Sequence, residues 1–514
     1  MLLAPGARAV GIFVVVVGQV DIVRISCEEE SIVASLGPGQ FTGELSTLAG
    51  QPAMVCIRAA AESDVIEIGR DQILRIVQAD SELSDLLMRA FLLRRVAIIA
   101  RHLGDASLVG SNHSPDMLRI REFLTRNDYP YAVLDIDHDR DAQTVLDHFE
   151  VSVDATPVLI CRGRVLRNPT NREIADCLGF NASVEVRDVR DLVIVGAGPA
   201  GLAAGVYGAS EGLDVLVIES NAPGGQAGSS SKIENYLGFP TGISGQNLTS
   251  RAHAQVRKFG AQILVAQSAG RLTCARKPFG VELDPSTEIL GRAIIIATGA
   301  EYRKLSIADS GRFDGTGVYY SATPMEAALC RDEEAVVVGG GNSAGQAAVF
   351  LAQTARKVHV LVRSDGLTKS MSRYLIQRIE QHEAIDLHTC TEIVALAGDG
   401  HLEEVTWRNS STNEIEKHAI RHVFVMAGAA PNTKWLDGCL ALDDKGFIKT
   451  GSDLTRVDLE TAHWPLPRPP YLLETSLPGV FAVGDVRSGN LKRVAAAVGE
   501  GSMAVAFVHR VLRD

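Results

Sequence analysis

From residue 191 to the end of the chain, short runs of apolar residues recur between longer and more polar segments. Several short runs of β-branched and apolar side chains are typical of strands buried in a parallel sheet. These runs cover residues 192–195, 215–218, 294–296, 335–338 and 480–483. Most of them end in a glycine-containing turn, and helical patterning follows the first and the fourth. Strands that alternate with helices predict an α/β fold.

Before residue 190 the pattern predicts two smaller domains. Short β-branched runs separated by turns cover residues 12–17, 21–25 and 31–35, and helical patterning follows at residues 71–93. Residues 104–182 then alternate strand, helix and strand before a Thr156-Pro157 step into a third apolar run. A linker is predicted at residues 183–190.

The turn after residue 195 carries three glycines, each with a physical task. Gly196 allows a tight turn, Gly198 lets the backbone approach a pyrophosphate, and Gly201 allows close packing of helix on strand. Glu219 ends the next strand, about twenty residues further on, where an acid accepts hydrogen bonds from a ribose hydroxyl. Strand, helix, second strand and acid together predict a dinucleotide site.

Composition and charge narrow the class of protein. The 514 residues predict several domains, and 46% hydrophobic with 22% charged residues indicates a globular protein with real cores. A formal net charge of -12 argues against nucleic acid or an anionic membrane as a partner. The apolar run at residues 11–17 is too short for a membrane helix, so we expect a cytoplasmic protein.

The eight cysteines do not form any CxxC spacing, which excludes the usual zinc-knuckle and dithiol motifs and predicts no metal site of that kind. We expect reduced and mostly buried thiols. The cysteines are Cys27, Cys56, Cys161, Cys177, Cys274, Cys330, Cys390 and Cys439.

The first dinucleotide unit and two later strand ends together resemble the FAD fold of two-dinucleotide-binding flavoproteins. The resemblance implies that FAD is bound, and that Asp485 contacts the ribitol or the adjacent phosphate. Besides the three glycines and Glu219, the residues assigned to this site are Pro199, Ala200, Ala297, Thr298, Gly299, Gly484 and Asp485.

Two loops and the last helix extend the resemblance to bacterial thioredoxin reductases. Gly224-Gly225-Gln226 and residues 233–240, Ile-Glu-Asn-Tyr-Leu-Gly-Phe-Pro, match segments that line the flavin in that family. Gly225, Gln226 and Asn235 are the implied contacts. The final helix follows Arg493 and Val494, and its N-terminus is expected to face the pyrimidine edge of the flavin.

A second strand, glycine turn and helix begins at residue 335. Its turn also fits the G-x-S-x-G elbow of α/β-hydrolases, but no convincing acid and histidine pair completes a hydrolase triad. We therefore assign it to NADPH, with Arg363 and Lys369 as the cations for the 2'-phosphate. The remaining residues assigned to this site are Gly339, Gly341, Asn342, Ser343 and Ala344.

The chain departs from the thioredoxin reductase pattern at its redox centre. In that family Gly-Val-x-Tyr leads into Cys-Ala-Thr-Cys, whereas here the same position has Ser321-Ala322-Thr323-Pro324. Ser321 and Pro324 thus occupy the positions of the redox cysteines, and no residue is assigned as catalytic. Hydride transfer to FAD needs only positioning, but electron exit through a flavin-adjacent disulfide is excluded.

Residues 39–53 resemble the phosphate cassette of cyclic-nucleotide-binding domains. In that family the glutamate, here Glu44, takes the ribose hydroxyl, and an arginine neutralises the phosphate where this chain has Ala53. A sensor and a relic or dimerisation module both remain open.

Residues 104–182 resemble thioredoxin or glutaredoxin, with Pro157 as the cis-proline. Ser111-Asn112-His113-Ser114 stands where such folds carry their CxxC, so this domain cannot exchange thiols, and His113 is expected to be a solvated helix-start residue.

The predicted fold class is α/β, with two Rossmann-like domains, the NADPH domain inserted in the FAD domain. A β-roll cyclic-nucleotide-binding-like domain and a thioredoxin-like α/β domain precede them. The predicted boundaries are 1–95, 104–182, 190–310 with 424–514 for FAD, and 311–423 for NADPH.

Three functions fit these features: an NADPH-dependent FAD oxidoreductase with an external acceptor, a regulatory flavoprotein, and a ferredoxin reductase-like enzyme. The acceptor is a protein carrier, a quinone, dioxygen or an external disulfide, and the resemblance implies a homodimer.

Overall fold

The computed structural model describes residues 1–4, 7, 11–26, 29–49, 53, 55–100, 106–161, 164–182, 184, 189–307, 309–436 and 438–513. Cys27, residues 50–52 of the predicted phosphate cassette and most of the predicted linker lie outside this part of the chain.

The N-terminal domain is built from two three-stranded antiparallel sheets. Its strands are Gly11–Val17, Val20–Ser26, Glu29–Leu36, Phe41–Thr42, Cys56–Ala59 and Asp64–Gly69, and its helices are Glu44–Ala49, Arg70–Ala79 and Ser81–Ala100. Phe13, Val15 and Val20 lie in the core between the sheets. Ala254 of a later helix packs against a second cluster around Ile73, which joins this domain to the flavoprotein.

The next domain has a four-stranded sheet with helices around it. Its strands are Ala106–Gly110, Ala132–Asp135, Val158–Cys161 and Arg164–Arg167, and its helices are Pro115–Arg126, Arg140–His148 and Asn171–Leu178. The first two strands are parallel, Val158–Cys161 runs antiparallel to Ala106–Gly110, and Arg164–Arg167 runs antiparallel to Val158–Cys161. The Thr156–Pro157 peptide bond is cis, which confirms the prediction for Pro157.

The FAD half is centred on a seven-stranded sheet. In spatial order six of its strands are Gln262–Val265, Val215–Glu219, Arg190–Val195, Thr287–Ile296, Phe279–Asp284 and Arg271–Thr273. The seventh strand, Val480–Ala482, lies outside this order and pairs in parallel with the end of Thr287–Ile296. The helices of this half are Pro199–Ser210, Gly225–Gly228, Gly245–Lys258, Arg456–Thr461 and Val494–Arg513. The sheet is parallel around Arg190–Val195, as the continuous apolar runs predict.

The NADPH half has a five-stranded parallel sheet of the same type. Its strands in spatial order are Val318–Tyr319, His422–Val425, Glu334–Val338, Lys357–Leu361 and Ile385–His388, and its helices are Pro324–Leu329, Asn342–Leu351 and Arg373–Gln381. A small antiparallel sheet, Thr391–Ala397, Glu404–Asn409 and Ile415–His418, packs beside it. The two halves are connected by the paired strands Ala300–Tyr302 and Ala429–Pro431.

The last helix, Val494–Arg513, is the one helix in the described part of the chain that is long and apolar enough to cross a membrane by length and composition alone. It packs along Pro199–Ser210, with Ala504 and Val508 buried in the shared core. At the crossing, a side chain on Gly501 would collide with the carbonyl oxygen of Ala200. The helix is therefore a core element of the FAD half.

The expectation that all cysteines are reduced thiols was wrong. Disulfides join Cys161 to Cys177 and Cys274 to Cys439, across sequence separations of 16 and 165 residues. Sequence spacing does not reveal such pairs, because the fold brings distant residues together. The described free cysteines are Cys56, Cys330 and Cys390.

Candidate functional site

The first glycine turn has the shape that its sequence predicts. Gly196 has a φ of 106°, and a side chain on it would collide with the carbonyl oxygen of Ala297. A side chain on Gly201 would collide with the carbonyl oxygen of Gly196, so the helix lies directly on the turn. Both positions therefore require glycine for backbone and packing reasons.

Gly198 and Pro199 open the helix Pro199–Ser210 in a way that suits a pyrophosphate. Gly198 has extended backbone angles, and a Cβ on it would meet only the Cα atom of Gly225, at 3.8 Å. The space beside this helix N-terminus is therefore open, while the backbone amides and the helix dipole favour an anion. Ala200, next in the helix, is buried. These residues fit the FAD pyrophosphate.

Glu219 is buried at the end of the second strand. Its carboxylate accepts hydrogen bonds from the backbone N–H groups of Ala197, at 2.7 Å, and Asn221, at 2.9 Å. Burial raises the pKa of Glu219, although these donors and the charge of Arg126 oppose the shift. A carboxylate can accept more than two hydrogen bonds, so Glu219 can also accept one from a ribose hydroxyl. That contact stays a prediction.

Gly484 and Asp485 are held by a residue that the sequence analysis missed. Glu500, in the last helix, accepts a hydrogen bond from the N–H of Gly484 at 2.7 Å and is paired with Arg487 at 2.7 Å. Burial raises the pKa of Asp485, and the nearby charge of Lys492 opposes this shift. The long core helix thereby fixes the loop that carries Asp485.

The helix that contains Glu500 begins at Val494, as predicted within a residue. Arg493 is exposed just before it, and its carbonyl oxygen accepts a hydrogen bond from Ala497 N–H at 3.0 Å.

The Gly224-Gly225-Gln226 loop contacts both the FAD strands and the thioredoxin-like domain. The side-chain amide of Gln226 donates to the carbonyl oxygen of Ala300. Arg126, from the helix Pro115–Arg126, donates to the carbonyl oxygens of Ala222 at 3.2 Å and Gly225 at 3.0 Å. No sequence motif indicated Arg126, because it comes from a different domain. Asn235, predicted as a second polar contact, is exposed on its loop.

Thr298 braces the point where the two halves meet. Its hydroxyl donates to the carbonyl oxygen of Asn432 at 2.9 Å, and the Asn432 amide donates back to the carbonyl oxygen of Thr298 at 3.0 Å. Ala297 is buried beneath this contact, and Gly299 has a φ of 65°. The predicted strand end is thus a structural joint between the two halves, and its contact with FAD stays a prediction.

The second glycine turn repeats the geometry of the first. Gly339 has a φ of 141°, and a side chain on it would press against the carbonyl oxygen of Met426 at 2.6 Å. A Cβ on Gly341 would meet nothing within 4 Å, so this helix N-terminus is open for the pyrophosphate of NADPH. Asn342 accepts a hydrogen bond from the N–H of Ser372 at 2.7 Å, which ties the next loop to the turn.

Ser343 and Ala344 occupy opposite sides of the same helix start. Ala344 is fully buried, whereas Ser343 is exposed and its side chain hydrogen-bonds with Tyr302 of the connecting strand. Burial raises the pKa of Tyr302, so its hydroxyl stays protonated at neutral pH. Ser343 therefore faces the FAD half of the molecule.

Arg363 and Lys369 lie on the loop after the strand Lys357–Leu361 and are both exposed. The Lys369 ammonium is 3.8 Å from the carboxylate of Asp365, so part of its charge is already balanced. Arg363 is available to a phosphate, and its role stays a prediction.

Ser321 lies in a cleft between the two halves. The cleft is lined by residues from both of them, including Gln226, Ser229, Tyr302, Ser321, Ser343 and Met426. The Ser321 hydroxyl donates to the carboxylate of Glu326 at 3.1 Å. Glu326 is buried, and this burial raises its pKa. Thus the residue at the first redox-cysteine position shares a cleft with the predicted flavin loop.

Pro324, at the second cysteine position, is exposed as the first residue of the helix Pro324–Leu329. The nearest thiol in the sequence is Cys330, which is fully buried, and burial raises its pKa to about 11. Cys330 is a free, buried thiol, as the sequence predicts for most of the cysteines.

The two halves are also joined across the cleft by an ion pair. Arg378, in the helix Arg373–Gln381, donates to Glu234 of the loop that contains Asn235 at 3.2 Å. This contact lowers the pKa of Glu234. Neither residue was singled out in the sequence, because each belongs to a different half.

In the predicted phosphate cassette of the N-terminal domain, the acidic residue Glu44 already forms an ion pair. Glu44 is buried and paired at 2.8 Å with Arg94, from the helix Ser81–Ala100. Ala53 is buried as well.

In the thioredoxin-like domain, His113 is exposed immediately before the N-cap Ser114, as expected of a solvated helix-start residue.

Two glycine turns on parallel sheets, each with open space at a helix N-terminus, and a cleft between them define a flavoprotein that also binds a pyridine nucleotide. Residues 190–501 match the family model for pyridine nucleotide-disulphide oxidoreductase, and residues 1–80 match the model for a cyclic nucleotide-binding domain. The chain belongs to the pyridine nucleotide-disulphide oxidoreductase family.

Individual relatives agree with this assignment. The chain is 33% identical to thioredoxin reductase from Listeria monocytogenes, over 62% of this chain and 92% of the relative. It is 32% identical to thioredoxin reductase from Bacillus subtilis, over 63% of this chain and 96% of the relative. It is also similar to the crystal structure of thioredoxin reductase from Lactococcus lactis, with a TM-score of 0.56 and 28% identity over 63% of this chain and 99% of that one.

The protein is therefore an NAD(P)H-dependent flavin oxidoreductase with FAD and NADPH as cofactors. FAD, when bound, accepts a hydride from NADPH and passes on electrons. The residues at the Gly196 turn would hold FAD and those at the Gly339 turn would hold NADPH, and the two halves that carry these turns line one cleft.

Proposed function

We propose that the protein passes electrons from NADPH, through FAD, to an acceptor outside the chain, and that no flavin-adjacent dithiol takes part. The observation that carries this proposal is the position of Ser321. It lies in the cleft with Gln226 and Tyr302, where the family pattern places a redox cysteine.

The chemistry of Ser321 supports the proposal. A hydroxyl does not ionise near neutral pH, so it cannot attack a disulfide as a thiolate does. Its proton is directed to Glu326 at 3.1 Å, which orders the side chain but supplies no redox function. Pro324, three residues on, has no functional group at all.

Other thiols are poor substitutes. Cys330 is fully buried, and a thiol with a pKa of about 11 is almost entirely protonated at neutral pH. Cys274 and Cys439 are held in a disulfide at the small antiparallel part of the FAD sheet, where Cys274 follows the strand Arg271–Thr273. We therefore propose a one-electron protein carrier, a quinone or dioxygen as the acceptor, ahead of an external disulfide.

The test is an anaerobic NADPH titration with a thioredoxin reduction assay. We expect two electrons per FAD, no long-wavelength charge-transfer band from a thiolate, rapid reduction of a quinone or ferricyanide, and negligible reduction of thioredoxin. Substantial thioredoxin reduction that disappears in Cys330→Ser or in Cys274→Ser would overturn the proposal and identify the thiol responsible. The double variant Ser321→Cys, Pro324→Cys serves as a positive control for the band.

A second candidate function is regulation, which the contacts of Arg126 favour. This residue of the thioredoxin-like domain donates to the carbonyl oxygens of Ala222 and Gly225, so that domain contacts the predicted flavin loop directly. In a regulatory flavoprotein, turnover with every acceptor in a screen would be slow, whereas FAD would still be reduced by NADPH. Fast turnover with any acceptor favours the enzyme.

A further inference from the structure

Two histidines and an aspartate form a compact cluster at the edge of the NADPH half, away from the cleft. His359 lies on the strand Lys357–Leu361, and Asp386 and His388 lie on the edge strand Ile385–His388. The parallel register places His359 opposite Asp386, and His388 follows two residues later on the same face. One potential ligand atom from each of the three residues lies within 4.8 Å of the others.

The spacing of the two imidazoles suits a metal ion. His359 Nδ1 and His388 Nε2 are 3.1 Å apart. Two nitrogens bound to tetrahedral zinc at about 2.0–2.1 Å are separated by about 3.3–3.4 Å. A small opening of the existing hydrogen bond would therefore admit an ion between the rings.

The surroundings also suit a metal site. His359 is buried, and its Nε2 atom has no hydrogen-bond partner but lies 3.5 Å from the Glu334 carboxylate. A metal-bound histidine commonly directs its other ring nitrogen to a carboxylate in this way.

We propose that His359, Asp386 and His388 bind a divalent transition-metal ion of the zinc type, with a water molecule as the fourth ligand. Imidazole and carboxylate ligands are those that zinc and cobalt accept. The bound ion stabilises the edge strand and takes no part in hydride transfer, because its ligands lie outside the cleft residues.

One charge competes with the ion. The Lys357 ammonium is 2.8 Å from Asp386, and it must release the carboxylate when a cation binds. The other groups around the cluster are Glu334, which is paired with Arg356, and His418, which is paired with Glu416 and stacked on Trp407.

The experiment uses the full-length protein without a histidine tag, with FAD bound and chelator removed. Co²⁺ is titrated in while the visible d–d absorption of tetrahedral cobalt is followed, and Zn²⁺ binding is measured by calorimetry. We expect one ion per chain and no sulfur-to-cobalt band. His388→Ala should weaken binding by about 100-fold or more, because loss of a ligand costs more than loss of a supporting residue.

Two further variants distinguish a metal site from a structural hydrogen-bonded cluster. Lys357→Met should tighten Co²⁺ binding, because it removes the competing ammonium. Asp386→Asn keeps the size of the side chain but should weaken binding about tenfold or more, so it remains informative if His388→Ala does not fold. Flavin absorbance and circular dichroism report folding in each variant.

The controls are His401→Ala, an exposed histidine of the same half, and Cys390→Ser, the partly exposed thiol two residues after His388. Both should bind Co²⁺ as the wild type does. Wild-type protein that binds no Co²⁺, or equal affinity in the wild type, His388→Ala and Asp386→Asn, would overturn the proposal. A sulfur-to-cobalt band that is lost in Cys390→Ser would overturn the ligand set in favour of the thiol.

Discussion

The guanidinium of Arg126, in the thioredoxin-like domain, donates a hydrogen bond to the carbonyl oxygen of Gly225 in the FAD half at 3.0 Å. Burial raises the pKa of Glu219, the predicted ribose acceptor, and the charge of Arg126 opposes this rise. A domain that has no CxxC at residues 111–114 thus supports the predicted flavin loop of its neighbour.

Replacement of Arg126 should therefore weaken FAD binding without unfolding the protein. Charge-assisted hydrogen bonds contribute about 1.5–3 kcal/mol, so we expect Arg126→Ala to raise the Kd for FAD about tenfold or more. Fluorescence titration of apoprotein with FAD measures the change. Arg119→Ala is the matched control, because Arg119 contacts only residues of its own domain in the described hydrogen bonds. An equal loss of FAD affinity in both variants would mean that FAD binding depends on the thioredoxin-like domain as a whole and not on the contacts of Arg126.

Valine at Gly198 should give protein without flavin. The backbone of Gly198 is extended, so valine can adopt its conformation, and the side chain would fill the space intended for the pyrophosphate. Absorbance of the purified variant measures the flavin content. Gly341→Val, at the equivalent and equally extended position of the second turn, should retain FAD and lose reduction by NADPH. Full FAD occupancy in Gly198→Val would contradict the assignment of the first turn.

Arg363→Ala should raise KM for NADPH about tenfold or more and leave KM for NADH unchanged, because the arginine forms charge-assisted bonds only with the extra phosphate. Steady-state kinetics with both nucleotides and ferricyanide provide the comparison. Lys369→Ala should have a smaller effect, since Asp365 already balances part of its charge. An equal loss with NADH would show that Arg363 is structural.

Glu326→Gln should change how stability depends on pH. Burial raises the folded-state pKa of Glu326 above its unfolded value, so its contribution is fully present below the unfolded pKa and is lost as pH rises through the folded pKa. The side-chain oxygen of glutamine can still accept from the N–H of Thr323, its NH2 group can donate to the Ser321 hydroxyl, and the amide does not ionise. The variant should therefore gain stability relative to the wild type as pH rises above about 4.5. Denaturant unfolding at pH 5 and pH 8 tests this, and a pH-independent difference would contradict it.

Cyclic AMP and cyclic GMP should not bind measurably to the N-terminal domain. Glu44 is already paired with Arg94, and Ala53 leaves a phosphate without a cation. Calorimetric titration decides the matter. A micromolar Kd that is lost in Arg58→Ala would restore the sensor function, with Arg58, now paired with Glu30, as the replacement cation.

The sequence by itself determined the local features that depend on neighbours in the chain. Three glycines at fixed spacing after an apolar strand predicted the turn at Gly196, because backbone angles and close packing restrict which residues fit. The same logic predicted Gly339, and helical patterning predicted the start of the last helix near Val494. The resemblance to thioredoxin implied the cis bond at Pro157. The prediction that Ser321 and Pro324 stand at the positions of the redox cysteines also came from the sequence and its family resemblance.

Only the tertiary structure decided which distant residues meet. Arg126 and Gly225, Glu234 and Arg378, and the disulfide partners Cys274 and Cys439 belong to separate segments, and no local pattern connects them. The cluster of His359 and His388 depends on the register of two parallel strands joined by a helix. Such contacts arise when apolar faces pack, and the polar side chains at their margins then find partners that spacing along the chain does not encode.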